Sequence, residues 1–222
     1  KEKQLDKKKK QLVENLKEIS THRIDIKSGD AVSILLHYAK IWLCRFSDID
    51  KNSSPKERLE NEIGKDNIPD LYEGFSNVIY KNVFFSIKEI ANTDLERKSY
   101  HIESLMIATL DIFADVQGKE KVLSLPEDKL SLAIAYNFTN RSNNERPWVT
   151  WIRESKPKVY SNTIEAFWRY QLDVTPSSLN SIYEFRKTEP DFDIKISILA
   201  KLLNDYPKLK PELLNSMLKT CI

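Results

Sequence analysis

The feature that most constrains this chain is its punctuation: nine prolines against four glycines in 222 residues. Proline fixes φ near the helical value and lacks an N–H, so it suits the first turn of a helix and damages an interior. Pro55, Pro69, Pro126, Pro147, Pro157, Pro176, Pro190, Pro207 and Pro211 each fall in a gap between apolar helical patterns or at a helix start. The pattern predicts an all-α chain of about ten to twelve short helices with short joins. The favoured arrangement is an irregular α-solenoid of stacked, HEAT-like helical hairpins.

The apolar periodicity fills in the elements. Residues 2–19 read as a charged helix with Leu5, Leu12, Leu16 and Ile19 on one stripe, where Lys9 interrupts a coiled-coil seam. Residues 21–27 read as a polar link, so 1–27 is expected to be a charged linker and 28–222 the helical-repeat domain. Residues 30–46 carry Ala31, Ile34, Leu35, Tyr38, Trp42 and Phe46 at helical spacing, predicting a deeply buried helix. Ser54-Pro55-Lys56-Glu57 and Ser86-Ile87-Lys88-Glu89 have the form of capping boxes, the first with proline at N1. The first opens a helix expected to stop near Gly64, the second a short one reaching Ala91.

Val83-Phe84-Phe85 has strand-like residues but no partner strand, so it reads as a helix end. Residues 101–116 are apolar on two sides, as for a helix between layers, and Gly118 is expected to stop it in a left-handed cap. Beyond it, helices are expected from Pro126, Pro147, Pro157 and Pro176, with two more around Ile194–Leu203 and Leu209–Met217. Lys156-Pro157-Lys158-Val159 is echoed by Tyr206-Pro207-Lys208-Leu209, a spacing suited to a repeat of two helices.

Composition narrows the partners. Apolar residues make up 41% and charged ones 31%, a balance that suits an array with much surface per residue. The net charge of +2 gives no global field to recruit nucleic acid or anionic lipid. Residues 1–27 hold nine basic against five acidic side chains, so the remainder is slightly acidic. Two cysteines, Cys44 and Cys221, form neither a disulfide framework nor a zinc site, and the expected location is the reducing cytoplasm. Neither a signal peptide nor a membrane span is predicted. The chain opens at Lys1 inside a helical pattern, as expected of a piece of a longer polypeptide.

Motifs for chemistry are scarce. Both Gly-Lys pairs, Gly64-Lys65 and Gly118-Lys119, have a bulky residue (Leu59, Phe113) where a phosphate loop needs its first glycine. His22, His37 and His101 match no metal-ligand spacing, and His37 with Cys44 reads as packing. Asp111 and Asp115, at i,i+4, are the one acidic pair placed for acid–base work, though a wet stripe on an apolar helix explains them as well. No catalytic, cofactor-binding or metal-binding residue is therefore assigned. Lys7-Lys8-Lys9-Lys10 reads as a solvated face diluted by nearby acids. The aromatic–basic residues Trp148, Trp151, Arg153, Lys156, Trp168 and Arg169 are the candidate partner-binding set, since Trp and Arg combine in protein hot spots and in base stacking.

The order of elements resembles the C-terminal helical region of bacterial NACHT-type (STAND) NTPases of antiphage defence. The residues that carry the likeness are Leu16-Lys17-Glu18-Ile19, Pro55-Lys56-Glu57-Arg58-Leu59 with Ile63-Gly64, and Leu71-Tyr72-Glu73-Gly74-Phe75. They continue with Leu132-Ala133-Ile134-Ala135-Tyr136-Asn137, Pro147-Trp148 and Pro157-Lys158-Val159-Tyr160. The resemblance implies a sensor or autoinhibitory scaffold, with the ATPase and any effector outside this segment, and carries over no catalytic residue. The expected function is thus a non-catalytic helical array that binds a protein ligand. The alternative is a nucleic-acid-binding repeat using the basic N-terminal helix and the Trp148/Trp151 region, and a hydrolase built on Asp111/Asp115 or His101 ranks last.

Overall fold

The computed structural model describes residues 2–96, 101–140, 146–175, 179 and 192–219. Among them all regular structure is helical, as the proline pattern predicts. The helices are α1 (Glu2–Thr21), α2 (Arg23–Ser28), α3 (Val32–Trp42), α4 (Pro55–Ile63), α5 (Ile68–Val78) and α6 (Ile87–Leu95). They continue as α7 (Ile102–Leu123), α8 (Glu127–Thr139), α9 (Pro147–Ser155), α10 (Pro157–Val174), α11 (Phe192–Asp205) and α12 (Pro211–Leu218). A single 3-10 turn, Lys65–Asn67, joins α4 to α5.

Pro55, Pro147, Pro157 and Pro211 are the first residues of their helices, Pro69 is the second of α5, and Pro126 caps α8. Pro207 lies in the turn before α12, whereas Pro157 opens a helix, so the echoed tetrapeptides occupy different structural positions. Pro176 and Pro190, with the helix expected after Thr175, lie outside the described residues.

Both capping boxes form. The Glu57 N–H donates to Ser54 Oγ at 3.2 Å, while the Ser54 N–H donates to Glu57 Oε2 at 2.8 Å. Ser86 and Glu89 repeat the exchange at 3.3 and 2.8 Å. Each box satisfies donors that a helix's first turn leaves without partners.

Several elements differ from expectation: Val83-Phe84-Phe85, read as a helix end, lies in the join between α5 and α6. The supposed polar link holds a helix, α2, because Ile26 is fully buried and Gly29 ends it at φ 80°. The helix expected to reach Phe46 stops at Trp42 in a Schellman motif, in which Cys44 takes φ 54°. There the Cys44 N–H donates to Ile41 O at 3.0 Å and the Arg45 N–H to Lys40 O at 2.8 Å. α6 runs past Ala91 to Leu95. Gly118 does stop the helical stretch that begins at Ile102, but its φ 78° and ψ −178° are not those of the left-handed cap expected, and a second short stretch follows to Leu123.

The chain forms two compact units: Lys1–Val83 with Ser104–Val116, and Phe84–Glu103 with Gln117–Ile222. In the first, α2 packs along α5, and α4 receives both α1 and α3. Leu35, Tyr38, Leu59, Ile63, Leu71 and Phe75 are fully buried there. Asn15 ties α1 to α4 by donating from Nδ2 to Glu62 O at 3.0 Å.

Two glycines allow the α2–α5 approach. A Cβ at Gly74 would overlap the Ile26 carbonyl oxygen, and one at Gly29 would lie 2.7 Å from Val78 N. The seam is then braced by polar groups. Asn77 Nδ2 donates to Lys27 O at 2.7 Å, Arg23 Nε pairs with Asp70 Oδ2 at 2.6 Å, and Lys27 Nζ pairs with Glu73 Oε2 at 3.1 Å.

In the second unit α10 is central, packed by α6, α8, α9 and α11. Its inward residues Tyr160, Ile164, Phe167, Trp168 and Leu172 follow helical spacing. Gln171 is wholly buried and donates from Nε2 to Ala91 O at 3.3 Å and to Asp94 Oδ2 at 2.8 Å. That bond matters because a buried carboxylate without donors is costly.

Candidate interaction surface

The six aromatic–basic residues singled out by sequence divide between core and surface. On α9, Trp148, Val149, Ile152 and Arg153 are buried, while Trp151, and Lys156 at the join to α10, are only partly covered. Helical geometry explains the split: Trp151 lies three residues on from Trp148, about 60° round the helix, which carries it to the edge of the buried face. Trp168 on α10 is also buried, with its ring centroid 5.7 Å from that of Phe138. Phe138 in turn meets Phe167 edge-on at 5.5 Å. Trp148 and Trp168 are therefore core residues, and of the Trp148/Trp151 pair expected for base stacking only Trp151 is partly exposed.

Arg169 is half buried and committed to an ion-pair network. Its Nε donates to Glu165 Oε1 at 3.0 Å, and its Nη2 lies 2.6 Å from Asp205 Oδ2. Lys201 Nζ reaches Glu165 Oε2 at 2.9 Å. The Tyr206 hydroxyl donates to Asp173 Oδ1 at 2.6 Å. Together these contacts clamp α11 and its following residue to α10.

The charges respond accordingly. The hydrogen bond from Arg169 holds the Asp205 carboxyl below its ordinary value. Burial pushes the Glu165 carboxyl up, but hydrogen bonds from Lys201 and Arg169 outweigh it and leave the group below its ordinary value. Glu165 and Arg169 stand at i,i+4 with the acid first, a pairing visible in the sequence. The tertiary partners Lys201, Asp205 and Tyr206 are not foreseeable from spacing alone.

Asp111 and Asp115 both lie in the first unit. The indole N–H of Trp42 donates to Asp111 Oδ2 at 3.4 Å, and Asp115 is exposed. Tyr72 sits edge-on to Trp42, with centroids 6.3 Å apart. Its phenol is pushed up to about 12, first by burial and then by the negative charges of Asp115 and Glu60. The aspartates thus border an aromatic pair, Asp111 binding it and Asp115 facing water. His37 is exposed with its ring against Tyr38 and Phe46, and His101 precedes α7 without a side-chain cap. Among the described residues no group of three or more His, Cys, Asp or Glu side chains is arranged to hold a metal ion, and no helix is long and apolar enough to cross a membrane.

Sequence reasoning missed the apolar residues that remain on the outside of the first unit. The inward face of α1 is Asn15 and Ile19, which leaves Val13 65% exposed. Leu16 lies at the margin of the same side, and on α2 Ile24 is 83% exposed although Ile26 beside it is fully buried. The signal was present in Val13 and Ile24, which fit neither the stripe of α1 nor a polar link. Comparison with protein families, curated proteins and solved structures returns no match.

Proposed function

We propose that this chain is a non-catalytic helical interaction segment of a larger NACHT-type (STAND) defence NTPase, binding a protein ligand or holding the switch inactive. On this reading the helices stack as an irregular solenoid, and the nucleotide chemistry belongs to another part of the polypeptide. The observation that carries it is the exposure of Val13 on α1 and Ile24 on α2, with Leu16 at the margin, although Ile19 and Ile26 on the same helices are buried. Exposed apolar side chains beside a closed core suit a protein contact better than a charged polymer.

Two further observations support it. Of the aromatic rings considered for base stacking, Trp148 and Trp168 are in the core and Trp151 alone is partly exposed. Gly29 and Gly74 are used for close helix contact, Gly64 caps α4 and Gly118 breaks α7, so each of the four has a use in shaping or packing the helices.

The test is co-expression with a panel of phage proteins, comparing wild type with a Val13→Asp/Ile24→Asp variant of unchanged helical circular dichroism. A ligand held by wild type and lost by the variant supports the proposal. If no panel member binds, and removal of the segment leaves signalling by the parent protein unaltered, the proposal fails.

A further inference from the structure

Tyr38 of α3 is wholly buried, and its hydroxyl has no hydrogen-bond partner. Burial pushes the phenol up, and the negative charges of Glu18 on α1 and Glu62 on α4 push it further. Both carboxylates act on the one hydroxyl, which places it beside the seam where α1 lies on α4. A buried hydroxyl without a partner is a standing cost that contact with water removes.

Little holds α1 over that seam. Among its described side chains, those of residues 10–21, Asn15 and Ile19 alone are buried, and Leu12 is half-buried. Asn15 Nδ2 donates to Glu62 O at 3.0 Å and to Glu62 Oε2 at 3.1 Å, and Gln11 Nε2 donates to Asn15 Oδ1 at 3.0 Å. By contrast α2 is fixed on α5, with Ile26 fully buried, Asn77 bonded to its backbone and Asp70 paired with its Arg23. Between the seated helix and the lightly held one stands a single residue, His22, whose φ −107° and ψ 18° belong to neither.

We infer that α1 is a releasable strap, which leaves α4 as a unit about His22 while α2 stays on α5, freeing the Tyr38 hydroxyl and baring Ile19. Release gives up the Asn15 bonds and the burial of Ile19, and it recovers the hydration of Tyr38. A helix of 20 residues without tertiary contacts is marginal in water, so the released strap also unwinds. The device is an order–disorder switch of one segment within the first unit, whatever the chain binds.

Hydrogen exchange on the full chain tests it. In the unsubstituted protein the amides of residues 11–21 are expected to share one opening, at least ~10-fold more frequent than that of residues 71–78 in α5. Their exchange should also rise less steeply with urea, since the strap exposes less surface than the whole unit does. Tyr38→Phe removes the stranded hydroxyl and keeps the ring, so it should slow exchange across 11–21 by at least ~5-fold.

Equal rates and equal urea slopes in the two segments would mean that α1 opens only with the rest of its unit, and the strap is then refuted. Rates graded along α1 and indifferent to Tyr38→Phe are ordinary fraying and refute it as well. If Tyr38→Phe does not fold, the comparison of 11–21 with 71–78 in the unsubstituted chain decides alone.

Discussion

Gly74→Ala sets two physical effects against each other, and the sign of the result decides between them. Gly74 lies inside α5, where alanine is intrinsically better than glycine by about 1 kcal/mol. On propensity alone the variant is more stable. The packing says otherwise: the added Cβ overlaps Ile26 O and comes within 3.1 Å of Ile26 C and 3.0 Å of Leu35 Cδ2. The first two atoms are backbone and cannot rotate away, so α2 must lift off α5.

Lifting α2 strains a core contact, which costs about 1–3 kcal/mol. It also stretches the 2.7 Å bond from Asn77 to Lys27 O, worth about 1 kcal/mol. Movement of Arg23 away from the buried Asp70 adds a further loss. The expected net change is a destabilisation of about 1–3 kcal/mol after the propensity gain is subtracted. Native-state hydrogen exchange at the amides of α2 and α5 reads this locally, whatever the second unit does. Protection equal to or above wild type would refute the claim that the α2–α5 seam depends on glycine.

Three further outcomes are expected. Cys44→Gly should stabilise the chain by about 0.5–1 kcal/mol, because it relieves a left-handed residue at the end of α3 while giving back part of the gain as unfolded-state entropy; a lower urea midpoint contradicts this. Ser86→Ala should cost about 1 kcal/mol through the lost cap of α6, and unchanged exchange at the amides of Ile87–Glu89 would show the box to be energetically idle.

The third concerns pH. Hydrogen bonds from Lys81, Ser54, Ser86 and Arg169 hold Asp30, Glu57, Glu89 and Asp205 below their ordinary values. Depressed carboxyls stabilise the fold above the unfolded value and lose that contribution as pH falls through the folded one. The urea midpoint should therefore drop below about pH 4. A midpoint that is flat from pH 6 to pH 3 would remove these groups from the account.

How much of this was legible beforehand depends on the range of the interaction. Helix starts were, because proline at N1 and the Ser–Glu exchange act within four residues: Pro55, Pro147, Pro157, Ser54 and Ser86 sit where their chemistry requires. Helix ends were less so. Cys44 occupies a position that propensity reserves for glycine, and Gly118 stops one helical stretch only for another to follow directly. α2 escaped notice because six residues carry little periodicity, and what holds them is a long-range fit to Gly74.

For the interaction residues, spacing told which side chains share a helix but not which side faces the core. Trp148 and Trp151 look alike in sequence, yet one is buried and the other marginal. Arg169, read as a candidate for partner binding, is held by acids on two helices.

The bond from Gln171 to Ala91 joins residues 80 positions apart in the chain. During synthesis α6 therefore leaves the ribosome long before the helix that covers it. At about 5–20 residues per second, the delay is roughly 4–16 s. Through that interval Ile90 and Ala91 lack the partner that α10 supplies, and the Asp94 carboxylate waits for its amide. Pausing of translation between α6 and α10 would lengthen the window in which this face invites aggregation, whereas the first unit's α1–α5 segment is complete by Val83 except for what α7 adds. The vulnerable period thus opens with the emergence of α6 and ends with that of α10.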